Sequence, residues 1–344
     1  MLTLLQKNGC MLYPLKFDPI LKPVIWGGKD ICTFKNLRSC PDTIGESWEL
    51  SCLPENMSIV VAGKLKGKSL SELIAIYGEE LVGKPVMDRF GNIFPLLIKF
   101  IDAKQPLSIQ VHPNDELAKK RHGLLGKTEM WYVVDAAKDA HLCLGFKEKI
   151  DAEIYMRSLQ DNTFIDCLQK YGVKSGDVFF LPAGCVHAIG AGCFIAEIQQ
   201  TSDITYRIYD YNRKDANGGR RELHTEWAKD AIDYNSNSNC KIDYPQGKEQ
   251  RQSLVRCPHF STNLITGKTG DILHPAYAQE SFVVFICLKG KVIATDSSNR
   301  PTILKQGETV LIPAANIHSL QLKFSCDSQL LETYIEDIHF SMDM

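Results

Sequence analysis

The feature that most constrains this chain is a recurrence of apolar runs too short for anything but strands. SWELSCL, MSIVVAG, FPLLIKFIDA, LSIQVHP, EMWYVVDA, HLCLGF, DVFFLPAG, CFIAEIQQ, ITYRIYDY, FVVFICLKG, KVIATD, ETVLIPA and QLLETYIE follow one another from residue 47 to residue 336. They are bounded by Gly, Pro, Asn or Asp, the residues that break strands and make turns. Such spacing predicts an all-β barrel or sandwich. Helical periodicity is confined to 68–82, 151–170 and 224–232, which read as appendages on a β core.

Two of the runs are copies of each other. GDVFFLPAGCVHAI (176–189) and GETVLIPAANIHSL (307–320) align without a gap, at an offset of 307 − 176 = 131 residues. Each has Gly, then an acid, then Pro six positions after the Gly, then His five positions after the Pro. One strand-turn-strand unit occurring twice implies two copies of one β unit. The polar stretch NSNSNCKIDYPQGKEQRQS (235–253) separates them and reads as a linker. The expected organisation is 1–235, a linker over 236–253, and 254–344.

Bulk properties exclude several functions. With 39 basic and 41 acidic residues the net charge is −2, against a protein whose main task is to bind nucleic-acid backbone. No stretch approaches the eighteen apolar residues of a membrane span, and the N-terminus lacks the cation cluster and apolar run of a signal peptide. None of the twelve cysteines forms a C-x-x-C pair and several sit in apolar runs, so they read as free thiols in a cytoplasmic protein. GKLKGKS (63–69) has three residues between its glycines where a nucleotide-binding loop needs four.

The chemistry-bearing candidates lie on the strands. Gln110 and His112 in SIQVHPND are two apart, so both leave the same strand face. Glu129 opens the run EMWYVV, and His187 follows the Pro-Ala-Gly turn of LPAGCVHAIG. Singly, each has an ordinary structural account: a hydrogen-bonded strand-end His, a solvated Glu, a core His. Together they make a nitrogen–oxygen ligand set suited to Zn²⁺ with an open position, a preference that Mn²⁺ and Fe²⁺ share.

The order Q-x-H, K-x-E, P-A-G-x-x-H resembles the cupin metal pattern of the type I mannose-6-phosphate isomerases. IWGGKD (25–30), IGESWELS (44–51), FPLLIKFIDAKQPLSIQVHPND and SDITYRIYDYNR (202–213) are similar to that family's further motifs, in the same order over roughly 14–215. The resemblance implies two cupin (jelly-roll) barrels. It implies one zinc per chain on His112, Glu129, His187 and Gln110, and interconversion of mannose 6-phosphate and fructose 6-phosphate. It makes Arg207 catalytic, with Lys127 adding charge beside a developing oxyanion and Glu197, ten residues before Arg207, serving proton transfer or its orientation. Lys99 and Ser108 resemble phosphate-side groups, so a small phosphosugar is the expected partner; Arg213 reads as a surface residue.

The chain departs from the longer members of that family. Only 57 residues separate Glu129 from His187, leaving no room for a large helical insertion, and IYDYNR replaces a Gly-Leu-Thr-Pro-Lys segment after Arg207. Which cation meets the phosphate is therefore open. His318 lacks a Q-x-H partner, and His274 lies outside any such pattern, so the C-terminal unit is expected to carry no metal and to serve packing or oligomer contacts, in a monomer or a homodimer. Two other readings stand beside the isomerase: a cupin isomerase or epimerase acting on another phosphosugar, and a non-catalytic sugar-binding cupin.

Overall fold

The computed structural model describes residues 11–41, 43–214, 218–235, 239–245, 247, 249–275, 277, 280–297 and 300–336. Antiparallel strands dominate them and form two pairs of sheets. The first pair has a seven-stranded sheet in the order Ile20–Gly28, Ile44–Leu50, Leu96–Ala103, Cys193–Gln200, Glu129–Ala136, Val178–Leu181, Lys241–Ile242. Its companion is five-stranded: Tyr206–Tyr209, Ile109–Val111, His187–Ile189, His141–Phe146, Leu168–Gly172. The second pair joins a five-stranded sheet (Arg251–Arg256, Ser261–Gly267, Ser328–Tyr334, Val283–Lys289, Thr309–Ile312) to a four-stranded one (Ile272–Leu273, Gln321–Phe324, Lys291–Thr295, Thr302–Lys305). No described helix is long and apolar enough to cross a membrane.

Side-chain alternation decides what each face buries. On Leu96–Ala103 every residue is buried, but Ile101 and Ala103 join the core between the first two sheets while Leu96, Ile98 and Phe100 point the other way. The same parity holds on Glu129–Ala136, where Trp131 and Val133 face inward and Met130 and Tyr132 outward. The outward core is shared with Leu254, Val284, Ile286 and Leu331 of the second pair, so the two large sheets pack back to back. Apolar material on both faces explains why these strands read as continuous apolar runs rather than as clean alternation.

The repeat is visible in three dimensions. Val178–Leu181 and Thr309–Ile312 are strands at the same offset of 131, preceded by Gly176 and Gly307, both at positive φ (90° and 78°) where a side chain would be strained. Beyond Pro182 and Pro313 the copies diverge: His187 opens a buried strand, whereas His318 lies exposed on the 3₁₀ turn Ala314–Ser319.

Two sequence expectations need correction, and one stretch carries more structure than its composition suggests. The helix over 68–82 is two helices, Leu70–Tyr77 and Glu79–Val82, because Gly78 turns the chain at φ 49°. The polar stretch 235–253 is tied down: Cys240 is buried, Lys241–Ile242 pairs with Phe179 and Val178, and the next sheet begins at Arg251. Cys32 and Cys40 form a disulfide with Cα atoms 6.0 Å apart, because the short helix Asp30–Phe34 folds the chain back on itself; the other nine described cysteines are free. The helix Asp115–His122 escaped the periodicity because only Ala118 is buried. Its caps define it, with Asn114 accepting from the Leu117 N–H at 2.9 Å and Gly123 in the left-handed region.

Register sets a test of the repeat. Glu129 pairs with Leu181, and Val283 pairs with Ile312, which is Leu181 plus 131. Val283 is thus the counterpart of Glu129, buried in an apolar core. Val283→Glu places an unpaired carboxyl there and should cost at least about 3 kcal/mol, seen as a large fall in thermal midpoint. An unchanged midpoint would contradict this placement.

Candidate metal centre and its cavity

The candidate residues converge because their positions all have inward parity. On the five-stranded sheet, Ile109 and Val111 pack outward, as do Val186 and Ala188, and Tyr206 and Ile208. Gln110, His187 and Arg207 between them therefore face the interior, and they are cross-strand neighbours: His187 pairs with Gln110, and Gln110 with Arg207. On the seven-stranded sheet Glu197 pairs with Lys99 on one side and Trp131 on the other. The two rows face each other across the core.

His112, Glu129 and His187 place one ligand atom each within 4.8 Å of one another, and all three are buried. Each histidine is oriented by a main-chain acceptor: His112 Nδ1 lies 2.7 Å from the Ile204 carbonyl and His187 Nδ1 2.9 Å from that of Cys185. A carbonyl can only accept, so Nδ1 carries the proton and the bare Nε2 lone pair faces the centre. His187 Nε2 is 3.4 Å from Glu129 Oε1 and His112 Nε2 is 3.7 Å from Glu129 Oε2. Glu129 Oε1 is buried without a hydrogen-bond partner. A buried carboxylate with one oxygen lacking a donor, set beside two imidazole lone pairs, is the arrangement a divalent cation satisfies.

Electrostatics agrees. Burial holds the His187 imidazole down to about 4, and burial together with Lys127 and His187 holds His112 well below its ordinary value, so both are in the neutral, metal-ligating form. Burial pushes the Glu129 carboxyl up to about 7, with Lys127 opposing it. Burial alone would raise Glu197, but Lys127 and Lys99 outweigh it and hold its carboxyl at about 2. Burial would likewise lower Lys99, but Glu197, Glu46 and Glu129 outweigh it and hold the ammonium above its ordinary range.

Around this centre lies a cavity of about 150 Å³ lined by Lys99, Ser108, Gln110, Lys127, Glu197 and Arg207 among others. All nine sequence-derived candidates therefore belong to the centre or to its cavity. Lys127 precedes the strand that Glu129 opens, yet its ammonium donates to Glu129 Oε2 at 2.7 Å and lies 3.0 Å from His112 Nε2. Gln110 presents its amide nitrogen to His187 Nε2 at 3.2 Å, and its oxygen accepts from Ser108 at 3.5 Å. As placed, its oxygen accepts from Ser108 and its nitrogen faces His187, which makes it the weakest of the four candidate ligands. Lys99 sits 3.3 Å from Glu197 and 3.6 Å from Glu46, above the Trp48 ring. Arg207 donates to the Glu222 carbonyl at 2.9 Å, while its Nε is buried without a partner.

Some participants were not anticipated. Trp131 donates its indole N–H to Glu197 at 3.0 Å; its place two residues after Glu129 was the available signal. Glu46 lay within the quoted motif IGESWELS without a role. Arg221 lines the cavity, and no sequence pattern pointed to it. Arg213 corrects the surface expectation: its side chain is largely buried because Asp210, three residues before it, and the Pro106 carbonyl at 2.5 Å both hold its guanidinium.

Comparison with known proteins converges on one family. Residues 15–141 match the model of the type I phosphomannose isomerase catalytic domain. Mannose-6-phosphate isomerase of Bacillus subtilis is 40% identical over 251 residues, 72% of this chain and 78% of that protein. Its counterpart in Streptococcus mutans is 38% identical over 253 residues, 73% and 78%. The crystal structure of mannose 6-phosphate isomerase from Bacillus subtilis superposes with a TM-score of 0.83 at 29% identity, covering 94% of this chain and all of that one. A variant of phosphomannose isomerase from Salmonella typhimurium, 15% identical, shares the fold with a TM-score of 0.74. Motif order, site geometry and these relatives agree: the chain belongs to the type I phosphomannose (mannose-6-phosphate) isomerase family.

Proposed function

We propose that this chain is a zinc-dependent aldose–ketose isomerase that interconverts mannose 6-phosphate and fructose 6-phosphate through an enediol(ate). One observation carries the reading: two buried, neutral histidines turn unprotonated Nε2 atoms toward the buried Glu129 carboxylate, whose Oε1 has no donor, and Lys127, Glu197 and Arg207 line the cavity beside them. The two sheet pairs are read as two cupin barrels, 1–235 and 254–344, joined through 236–253, with the reaction in the first.

His112, Glu129 and His187, with Gln110 as the fourth and weakest donor, are the residues that would hold the metal; a nitrogen–oxygen set of this kind suits zinc. Bound there, it supplies Lewis acidity toward the oxygens at C1 and C2 of the sugar. The protein supplies the rest. The reaction moves one proton between C2 and C1 and places negative charge on an oxygen in between. Glu197, ionised and fixed by Trp131 and Lys99, serves that transfer as the accepting or the positioning carboxylate. Lys127 and Arg207 bring fixed positive charge to the side where the oxyanion forms, in a buried cavity where such charge is least screened. Lys99 and Ser108 contact the substrate from the cavity wall.

Two measurements test this. Exhaustive chelation should abolish isomerase activity in a coupled assay for fructose 6-phosphate, and zinc should restore it; full activity in metal-free protein would refute the mechanism. Arg207→Ala should reduce kcat by at least about a hundredfold, the usual scale for losing a charge-stabilising donor, while metal content stays near one per chain. Unchanged turnover would remove Arg207 from the reaction.

A further inference from the structure

The chain following Arg207 carries a feature that the isomerase reading does not use. Arg207 lies on the edge strand of the five-stranded sheet, next to Gln110, and Gln110 lies next to His187. With adjacent strands about 4.8 Å apart, the series His187, Gln110, Arg207 steps outward from the metal centre. Beyond Arg207 the chain turns, is closed by a bridge between Lys214 and Arg220, and delivers Arg221 to the same cavity wall.

Asp210 sets the geometry there. Arg221 donates Nε to Asp210 Oδ2 at 2.8 Å and Nη2 to Oδ1 at 2.5 Å, a two-pronged grip on the carboxylate. Arg213 bonds the same carboxylate at Oδ1 and is anchored on the Pro106 carbonyl. One carboxylate thus holds two guanidiniums, Arg213 and Arg221, with Arg207 and the Glu222 carboxylate close by, and Arg207 and Arg221 both line this end of the cavity. Arg207 Nε is buried with no partner, and the Arg221–Asp210 grip uses only Nε and Nη2 of Arg221. Lys99, the other candidate cation, is held between Glu197 and Glu46. Like-charge crowding is felt locally: after burial, Arg221 is the next cause lowering the affinity of Arg207 for its proton.

We infer that Arg221, braced by Asp210, recognises the phosphate monoester of the substrate, leaving Arg207 for the oxyanion. This rests on the isomerase reading and answers the question left by the IYDYNR segment. Two guanidiniums lining one end of the cavity suit a phosphate dianion, and a guanidinium gripped on one edge is already oriented to receive it on the other. The sugar then runs from the outer arginine inward, its C1–C2 end toward Gln110 and His187.

The test uses metal-loaded full-length protein as wild type, Arg221→Ala and Arg221→Lys. Arg221→Ala should raise KM for fructose 6-phosphate by about tenfold or more, the scale of one charged hydrogen-bonded contact. It should weaken competitive inhibition by inorganic phosphate by a similar factor, while kcat falls far less and metal content is kept. Arg221→Lys should recover part of both losses. Unchanged KM and phosphate inhibition would overturn the assignment. So would a fall in kcat or metal content with phosphate inhibition intact, which marks a purely structural residue. A wild-type chain inactive on both sugars would overturn the isomerase reading instead; thermal stabilisation by inorganic phosphate, compared across the same three proteins, would still decide the role of Arg221.

Discussion

The structure depends on one costly act, the burial of the Glu129 carboxylate between two sheets. A charge in such a place is tolerated only when it is paired, and each neighbouring residue can be read as part of that pairing. Lys127 reaches back to Glu129 from the preceding loop, and two histidines turn their lone pairs toward it because backbone carbonyls hold their other nitrogens. Behind Glu129, Glu197 and Glu46 share Lys99. Burial still pushes the Glu129 carboxyl up to about 7, and a divalent cation beside the two neutral histidines would favour its ionised form. A centre so composed attracts a cation before any substrate arrives.

The second sheet pair shows what the same template does without that demand. In register, Glu332 occupies the place of Glu197, since Glu197 pairs with Trp131 and Lys99 while Glu332 pairs with Phe285 and Asn263. Yet Glu332 is closed off: Arg251 and Asn263 each donate to it at 2.7 Å, and the Tyr277 hydroxyl at 2.5 Å. Val283 fills the place of Glu129, and His318 is turned out to solvent. A carboxylate with both oxygens engaged stabilises a fold, whereas one with an unused oxygen beside two imidazoles invites chemistry. The repeat therefore separates the part of the pattern needed for folding from the part needed for the site.

Much of this was legible in sequence because strands convert spacing into direction. Gln110 and His112 share a face by parity alone, and Glu129 and Trp131 do so on the facing sheet. The Gly and Pro of the repeat mark its turns because few other residues adopt those backbones. What stayed hidden has a physical cause in each case. Asp115–His122 has almost no apolar face, so only its caps announce it. The Cys32–Cys40 pair requires a fold-back that sequence separation does not encode. Arg213 and Arg221 are placed by one shared acceptor, Asp210, and a network of that kind leaves no period to detect.

Charge also gives the cavity a direction. Glu46 and Glu197 line it together with Lys99 and Lys127, close to Glu129, whereas Arg207 and Arg221 line it on the side of the edge strand. A neutral sugar would find no preferred orientation in such a field. A sugar carrying a dianion at one end is drawn in with that end outward, which brings its uncharged end to the histidines and to Glu197. Orientation of this kind relies on long-range charge rather than on a close fit. A cavity of about 150 Å³ built mainly from polar strand positions can then select its substrate with few direct contacts to the hydroxyls.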